Sequence, residues 1–210
     1  MQVVSVNVGK ARRLEGRSFK GQTGIIKEPV SGSVSIGELG LSGDAIINGK
    51  YHGGPDQAVY LYRSEDYAWW SEELGREIGP GTFGENLTVS GLPAPGIAVG
   101  TRLNFESLRL EVTAPRIPCN TLAQRMDDPK FAKAFIRAER PGIYCRVLTP
   151  GSIETDATFS LDASAASGVS TLDMFRGAYR KLDRDALERF LAAPIDVRSR
   201  TDYEEQLARL

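Results

Sequence analysis

From its first residue to about residue 160, the chain is a succession of short apolar or β-branched runs. Most are closed by glycine, proline, aspartate or serine. The runs fall at 3–8, 25–26, 34–36, 58–62, 87–89, 103–105, 108–112 and 143–148. Each is strand-sized, and the 22 glycines and 11 prolines supply the turns between them. Many short strands leave many exposed edges unless the sheet curls round on itself. The expected fold class is therefore mainly β (α+β), a β-barrel with a few peripheral helices.

Two helices are expected to interrupt the strands. Ser64 is placed to cap one that carries Tyr67, Trp70 and Leu74, with Gly75 as its stop. Asp128 is placed to cap another, with Pro129 in its first turn and Phe131, Ala134, Phe135 and Ala138 on one face. After residue 163 the pattern changes. Small polar residues at 163–168 read as a linker. Three short amphipathic patterns follow, capped by Ser170, by Asp183 and by a Thr201/Glu204 capping box. None is long enough to be stable alone. The division expected is a barrel over 1–163 and a small three-helix appendage over 164–210.

The charge balance narrows the classes of function. With 26 basic and 27 acidic residues the net charge is −1, so no global field draws nucleic acid or an anionic membrane. No apolar run approaches the ~20 residues that a membrane span requires. The N-terminal basic residues follow the first apolar stretch, the reverse of a secretory signal, and the cytoplasm is the expected location. Two cysteines, Cys119 and Cys145, are too few for a disulfide scaffold.

Three segments have compositions unusual for plain turns. Gly43-Asp44, followed by His52-Gly53-Gly54, joins the only histidine to glycines that let backbone N–H groups approach a ligand. A Gly-rich hairpin with an incidental histidine would look the same. The second segment, 81–87, contains Glu85 and Asn86, and is either a tight turn or an anion- or heterocycle-binding loop. The third runs from Ala114 to Thr121, where two prolines fix the backbone ahead of Cys119. Arg116 there favours the thiolate, lowering the thiol pKa below its usual ~8.5. A reactive thiol and a buried structural cysteine are both consistent with this stretch. Cys145, inside a strand-like run, reads as core. A single histidine and no CxxC pair exclude the common zinc sites, and no Walker A loop, GxGxxG or GxSxG is present.

Taken together, GLSGD at 40–44, HGGPDQAVYLY at 52–62, PGTFGENLTVSGL at 80–92 and VTAPRIPC at 112–119 resemble the MOSC family, named for the C-terminal domain of molybdenum-cofactor sulfurases, and most of all its YiiM-like branch. The region from Val169 onward is similar to the small three-helix domain that often follows MOSC in this branch. The resemblance implies a MOSC-type β-barrel and a pterin-bound molybdenum cofactor (molybdopterin), with Cys119 as the key thiol and molybdenum ligand. It implies an oxidoreductase that reduces N-hydroxylated compounds such as hydroxylaminopurine bases, a detoxification chemistry, using an external electron donor. On this reading Arg116, His52, Gly53, Gly54 and Asn86 surround the cofactor, and Asp44, Glu85 and Lys27 are secondary candidates. The alternative it implies is a sulfur carrier or cofactor-delivery protein working through a Cys119 persulfide. The pyridoxal phosphate associated with the family belongs to a separate domain that this sequence does not contain. A third possibility is an interaction module whose helices dock a partner or a second copy. Gln57 and Thr121 stand where the family usually has lysine, which removes positive charge near the expected anion contacts.

Overall fold

The computed structural model describes residues 1–17, 19–93 and 96–210. Strands β1 (Gln2–Gly9), β2 (Arg12–Glu15), β3 (Lys20–Thr23), β4 (Lys27–Pro29), β5 (Val34–Gly37) and β6 (Gly40–Leu41) come first. A short 3-10 turn at Pro55–Gln57 then leads into β7 (Val59–Arg63) and helix α1 (Ser64–Leu74). Next are β8 (Leu87–Ser90), β9 (Arg102–Asn104) and β10 (Arg109–Pro115), helices α2 (Asn120–Arg125) and α3 (Phe131–Ala138), and strands β11 (Ile143–Thr149), β12 (Gly151–Ile153) and β13 (Ser160–Asp162). Helices α4 (Thr171–Gly177), α5 (Arg184–Leu191) and α6 (Val197–Leu207) follow.

The largest sheet has eight strands in the order β13-β9-β10-β11-β7-β8-β1-β4. All its neighbours are antiparallel except the β7–β8 pair, which is parallel and connected through α1. The ladder is open, but the segment leading into β13 returns to β1. Val3 N–H donates to the Ala157 carbonyl (2.9 Å), and Phe159 N–H donates to that of Met1 (3.1 Å). The β-rich fold class expected from the sequence is therefore found, with irregular backbone bonds at the seam where a regular barrel would have strand pairing.

The period-2 alternation of strands explains why the central runs are apolar throughout. In β7, Val59 and Leu61 point into a core with Val3, Leu87, Val112 and Cys145. Tyr60 and Tyr62 point to the opposite face, into an aromatic cluster with Trp70, Phe83, Phe131 and Phe135. Such strands are buried on both sides. The second core also includes Leu172, Phe175, Leu187, Phe190 and Tyr203 from the C-terminal helices, which therefore pack on the outer face of the sheet. The 163–168 segment is likewise attached to the sheet: Ser167 N–H donates to the Val99 carbonyl at 2.7 Å.

The helix starts differ from expectation in three places. Ser64 is the first residue of α1 rather than its cap, because β7 runs directly into the helix and Arg63 takes the N-cap position without a side-chain bond. Asp128 accepts from Lys130 N–H (2.8 Å) and closes a turn, and α3 begins only at Phe131. Asp196, not Thr201, caps α6 by accepting from Ser199 N–H at 3.3 Å. Thr201 lies one turn inside, where its hydroxyl donates back to the Val197 carbonyl (3.0 Å). The TxxE pattern matched a capping box, but the helix was already nucleated upstream. Ser170, with a complete capping box, and Asp183 cap α4 and α5 as expected. Among the described residues, no helix is long and apolar enough to cross a membrane.

Candidate functional site

Cross-strand register creates the base of the site. Tyr60 on β7 lies opposite Tyr144 on β11, with their rings 5.0 Å apart on the outer face of the sheet. Arg116, just past the end of β10, lies over them. Its guanidinium is 5.2 Å from the Tyr60 ring, and Nη1 donates to the Tyr144 hydroxyl at 3.0 Å. Arg116 is only 5% exposed, and its Nε is buried without an acceptor. None of the hydrogen bonds or ion pairs of the described residues gives it a carboxylate partner, so the wall presents a desolvated cation with donor capacity in reserve.

Three residues on, the chain turns into α2 at Cys119, which holds the extended N-cap conformation. Arg116 Nη2 reaches Cys119 Sγ at 3.9 Å. Burial pushes the thiol pKa up, but a hydrogen bond from His52, the Arg116 charge and the Leu122 N–H outweigh it and hold the pKa down at about 6. Cys119 is thus mainly thiolate at neutral pH. Cys145 is fully buried with its pKa driven far up by desolvation, as the core assignment expects.

His52 arrives from the glycine turn. Gly53 has φ 69°, and a side chain there would bring a Cβ to 2.6 Å from Ile46 Cδ1. Only glycine lets the turn fold down onto the cleft. The turn is held from outside by α6: Arg198 donates to the backbone carbonyls of Gly49 (2.9 Å), Lys50 (3.0 Å), His52 (3.3 Å) and Gly53 (2.8 Å).

The far wall is a buried polar relay. Lys27 forms an ion pair with Asp44, both side chains being less than a tenth exposed. Burial lowers the Lys27 pKa against the pull of Asp44. Asp44 also accepts from Gly9 N–H (2.8 Å) and from Asn86 Nδ2 (2.9 Å), while Asn86 Oδ1 accepts from Tyr60 N–H (3.1 Å). Asn86 therefore positions other groups, and Lys27 is already neutralised, which leaves Arg116 as the free cation of this group.

These residues enclose a cleft of about 370 Å³. Of the residues expected from sequence, Cys119, Arg116, His52, Gly53, Asn86, Asp44 and Lys27 line it. Gly54 and Glu85 do not. Gly54 faces Arg198 on α6. Glu85 lies behind the wall, accepting from Tyr67 Oη (2.8 Å), Gly81 N–H (2.6 Å) and Thr88 Oγ1 (2.7 Å), with its pKa raised by burial. Gln57 and Thr121 also line the cleft. Sequence reasoning missed Tyr60 and Tyr144. Their signal was the strand alternation itself, which sends them to the face opposite Val59 and Cys145.

Among the described residues no cluster of three or more His, Cys, Asp or Glu side chains could hold a bare metal ion. The donor set instead suits a metal that arrives with most of its ligands attached. It provides one soft thiolate and a buried cation with an unfilled N–H for an anionic group on the carrier.

Comparison with known proteins agrees with this architecture. The MOSC domain family profile matches residues 48–160. The uncharacterized protein YflK of Bacillus subtilis is 33% identical over 90% of this chain and 86% of its own. The crystal structure of YiiM from Geobacillus stearothermophilus superposes with a TM-score of 0.82 at 29% identity, covering 98% of each chain. A protein of Gibberella moniliformis named Reductase is 33% identical over 70% of this chain, which corresponds to 28% of that longer protein. With the family profile spanning over half its length and these relatives aligned along most of the remainder, the chain belongs to the MOSC domain family, in its YiiM-like group.

Proposed function

We propose that this protein is an oxidoreductase that holds a molybdenum cofactor in the cleft at Cys119 and reduces N-hydroxylated compounds. The observation that carries the reading is a thiolate and a buried, carboxylate-free arginine facing one cleft. Membership of the MOSC family and the name of the fungal relative support it. The cofactor, when bound, supplies oxygen-atom transfer: the N–OH bond of the substrate breaks, amine and water leave, and two electrons and two protons enter from an external donor. In this reading Cys119 is the protein ligand. Arg116 offsets the charge of the cofactor phosphate, and His52 makes a hydrogen bond to the sulfur. Gly53 lets the backbone approach, while Tyr60 and Tyr144 form an aromatic wall that excludes water. Lys27, Asp44 and Asn86 fix the opposite wall. The protein would work in the cytoplasm, where a reducing environment keeps Cys119 available.

Metal analysis of protein from a cofactor-competent host tests this directly. About one molybdenum per wild-type chain and almost none in Cys119→Ala is expected, with reduction of a hydroxylaminopurine only by the former. Equal molybdenum in both, or none in either, overturns the proposal. The low thiol pKa also suits sulfur carriage. A persulfide on Cys119 after incubation with a cysteine desulfurase, in protein free of molybdenum, would favour that second role.

A further inference from the structure

The cations of this chain are unevenly placed. Residues 1–28 carry six basic and two acidic side chains, although the whole chain has a net charge of −1. Lys27 is buried against Asp44. The other five, Lys10, Arg12, Arg13, Arg17 and Lys20, are exposed on or beside the β2–β3 hairpin. Both acids are already paired, Glu28 with Arg12 (2.8 Å) and Glu15 with Arg13. The hydrogen bond and charge of Arg12, and more weakly Lys10 and Arg125 of α2, hold the Glu28 carboxyl below its usual range. Among the described residues no carboxylate pairs with Lys10, Arg17 or Lys20, so their charge faces solvent unspent.

This hairpin borders the Cys119 cleft. Phe19 and Gly21, the neighbours of Lys20 in sequence, line the cleft, as do Gln22 and Thr23 of the same strand. The start of the turn leans on α2: a side chain at Gly16 would run into the Gln124 carboxamide, five residues after Cys119. Residues 45–51 supply another part of the mouth. Ile46 and Ile47 line the cleft, yet are 40% and 44% exposed. Exposed Lys50 and Tyr51 follow, the ammonium 5.2 Å from the ring centre. The mouth therefore has apolar side chains flanked in both segments by unpaired cations. An apolar centre within a charged rim is the anatomy of a protein-binding surface. A nucleic-acid surface is more polar and more uniformly basic.

We infer that the β2–β3 hairpin and the cleft mouth form the docking surface for an acidic electron-carrier protein, whose carboxylates meet Lys10, Arg17, Lys20 and Lys50 while an apolar patch covers Ile46 and Ile47. The partner's redox role rests on the proposed function, because that reaction draws two electrons from an external donor. Two cysteines cannot supply the four protein ligands of an iron–sulfur cluster, so this sequence does not provide such a relay itself. Two reduced carriers dock in turn, and each is oxidised by one electron. With two protons from water, the N–OH group becomes an amine and water. Unpaired rim cations steer an anionic partner and set its orientation, and they act mainly on the rate of association.

Binding of flavodoxin, an acidic one-electron carrier, to the cofactor-free protein tests the surface without calling on molybdenum. Wild type should bind at low ionic strength and lose affinity as salt is added. The double variant Arg17→Glu/Lys20→Glu should bind about tenfold more slowly or worse. Arg109→Glu, an exposed charge reversal at the far end of β10 from Arg116, should bind like wild type. Ile47→Ser should weaken binding of flavodoxin but not of a DNA duplex. In molybdenum-loaded protein, the double variant should reduce hydroxylaminopurine slowly with flavodoxin hydroquinone and at the wild-type rate with dithionite. No reduction by loaded wild type with dithionite would count against the proposed function, whereas the binding measurements judge the surface alone. No flavodoxin binding by wild type, equal slowing by Arg109→Glu, or tighter binding of the duplex than of flavodoxin overturns the inference.

Discussion

Arg116 Nη2 lies 3.9 Å from Cys119 Sγ, and both residues come from the four-residue stretch between β10 and α2. The arginine and His52 overcome the burial that would otherwise raise the thiol pKa, holding it at about 6. In cofactor-free protein, alkylation of Cys119 by iodoacetamide should therefore follow a titration centred near pH 6, with Cys145 unreactive as the internal control. Arg116→Met or His52→Ala should move the midpoint toward the ordinary ~8.5. The sign for stability follows from the depressed folded pKa. The thiolate's contribution is complete above the ordinary thiol pKa and is lost as pH falls through about 6. An unchanged midpoint in both variants would remove the electrostatic account of the site.

Arg198 couples the C-terminal helices to the glycine turn that presents His52. Its four carbonyl contacts are the main polar tie between α6 and residues 49–53. Arg198→Ala should cost about 1–2 kcal/mol, because some of the freed carbonyls can be hydrated. Its clearest effect should be local: hydrogen–deuterium exchange should speed up in peptides covering 45–54 and remain unchanged in β10 and β11. Uniform loss of protection across the chain would indicate general destabilisation instead.

Glu85 illustrates a site candidate whose role is architectural. One carboxylate oxygen accepts from Tyr67, Gly81 and Thr88, and the other is buried without a donor. Glu85→Ala would strand three buried donors and should destabilise by about 3 kcal/mol in denaturant unfolding. Glu85→Gln retains an accepting oxygen and removes a buried charge, so it should cost far less. Burial raises the Glu85 pKa, so this group favours the folded state at low pH and that preference is lost as pH rises through its folded pKa. Glu85→Gln should flatten that part of the stability profile. A larger loss for Gln than for Ala would contradict the assignment.

The sequence made the strand set legible because strand periodicity and turn residues are local signals. Seven of the eight expected runs correspond to strands, and the exception, Ile25-Ile26, lies between β3 and β4. The site was partly legible for the same reason: His52, Arg116 and Cys119 belong to segments whose glycines and prolines are unusual for plain turns. What stayed hidden depends on long-range register. Tyr60 meets Tyr144 only because β7 pairs with β11. Arg198 reaches His52 across 146 residues of chain. Glu85 was a secondary candidate that could equally orient its turn, because no local pattern reveals which side of a turn a buried side chain takes. Helix α2 carries too short a stripe to be seen, with only Leu122 and Ala123 buried.

Gly24 tests how closely the cleft wall is built. It lines the Cys119 cleft between β3 and β4, where the backbone of Ala45 crosses it. A Cβ on Gly24 would lie 1.7 Å from the Ala45 carbonyl oxygen and 2.8 Å from its carbon, contacts with backbone that no rotamer change relieves. Ala45 in turn donates its N–H to the Gly9 carbonyl at 2.7 Å, and Gly9 N–H donates to Asp44 at 2.8 Å, so the crossing segment is fixed to β1 on its other side. Gly24→Ala must therefore push residues 44–46 away from the wall or break their bonds to β1. Overpacking of this kind should cost about 1–3 kcal/mol. It should also disturb Asp44, and with it Lys27 and Asn86, so ligand retention in the cleft should fall by more than stability alone explains. The comparison that decides is Gly151→Ala, which would crowd the Ser107 carbonyl at 2.4 Å but lies outside the Cys119 cleft. If both variants lose stability but only Gly24→Ala loses the molybdenum that the proposed function expects, the close approach of 24 to 45 shapes the site. If the two lose it equally, that approach serves the fold alone.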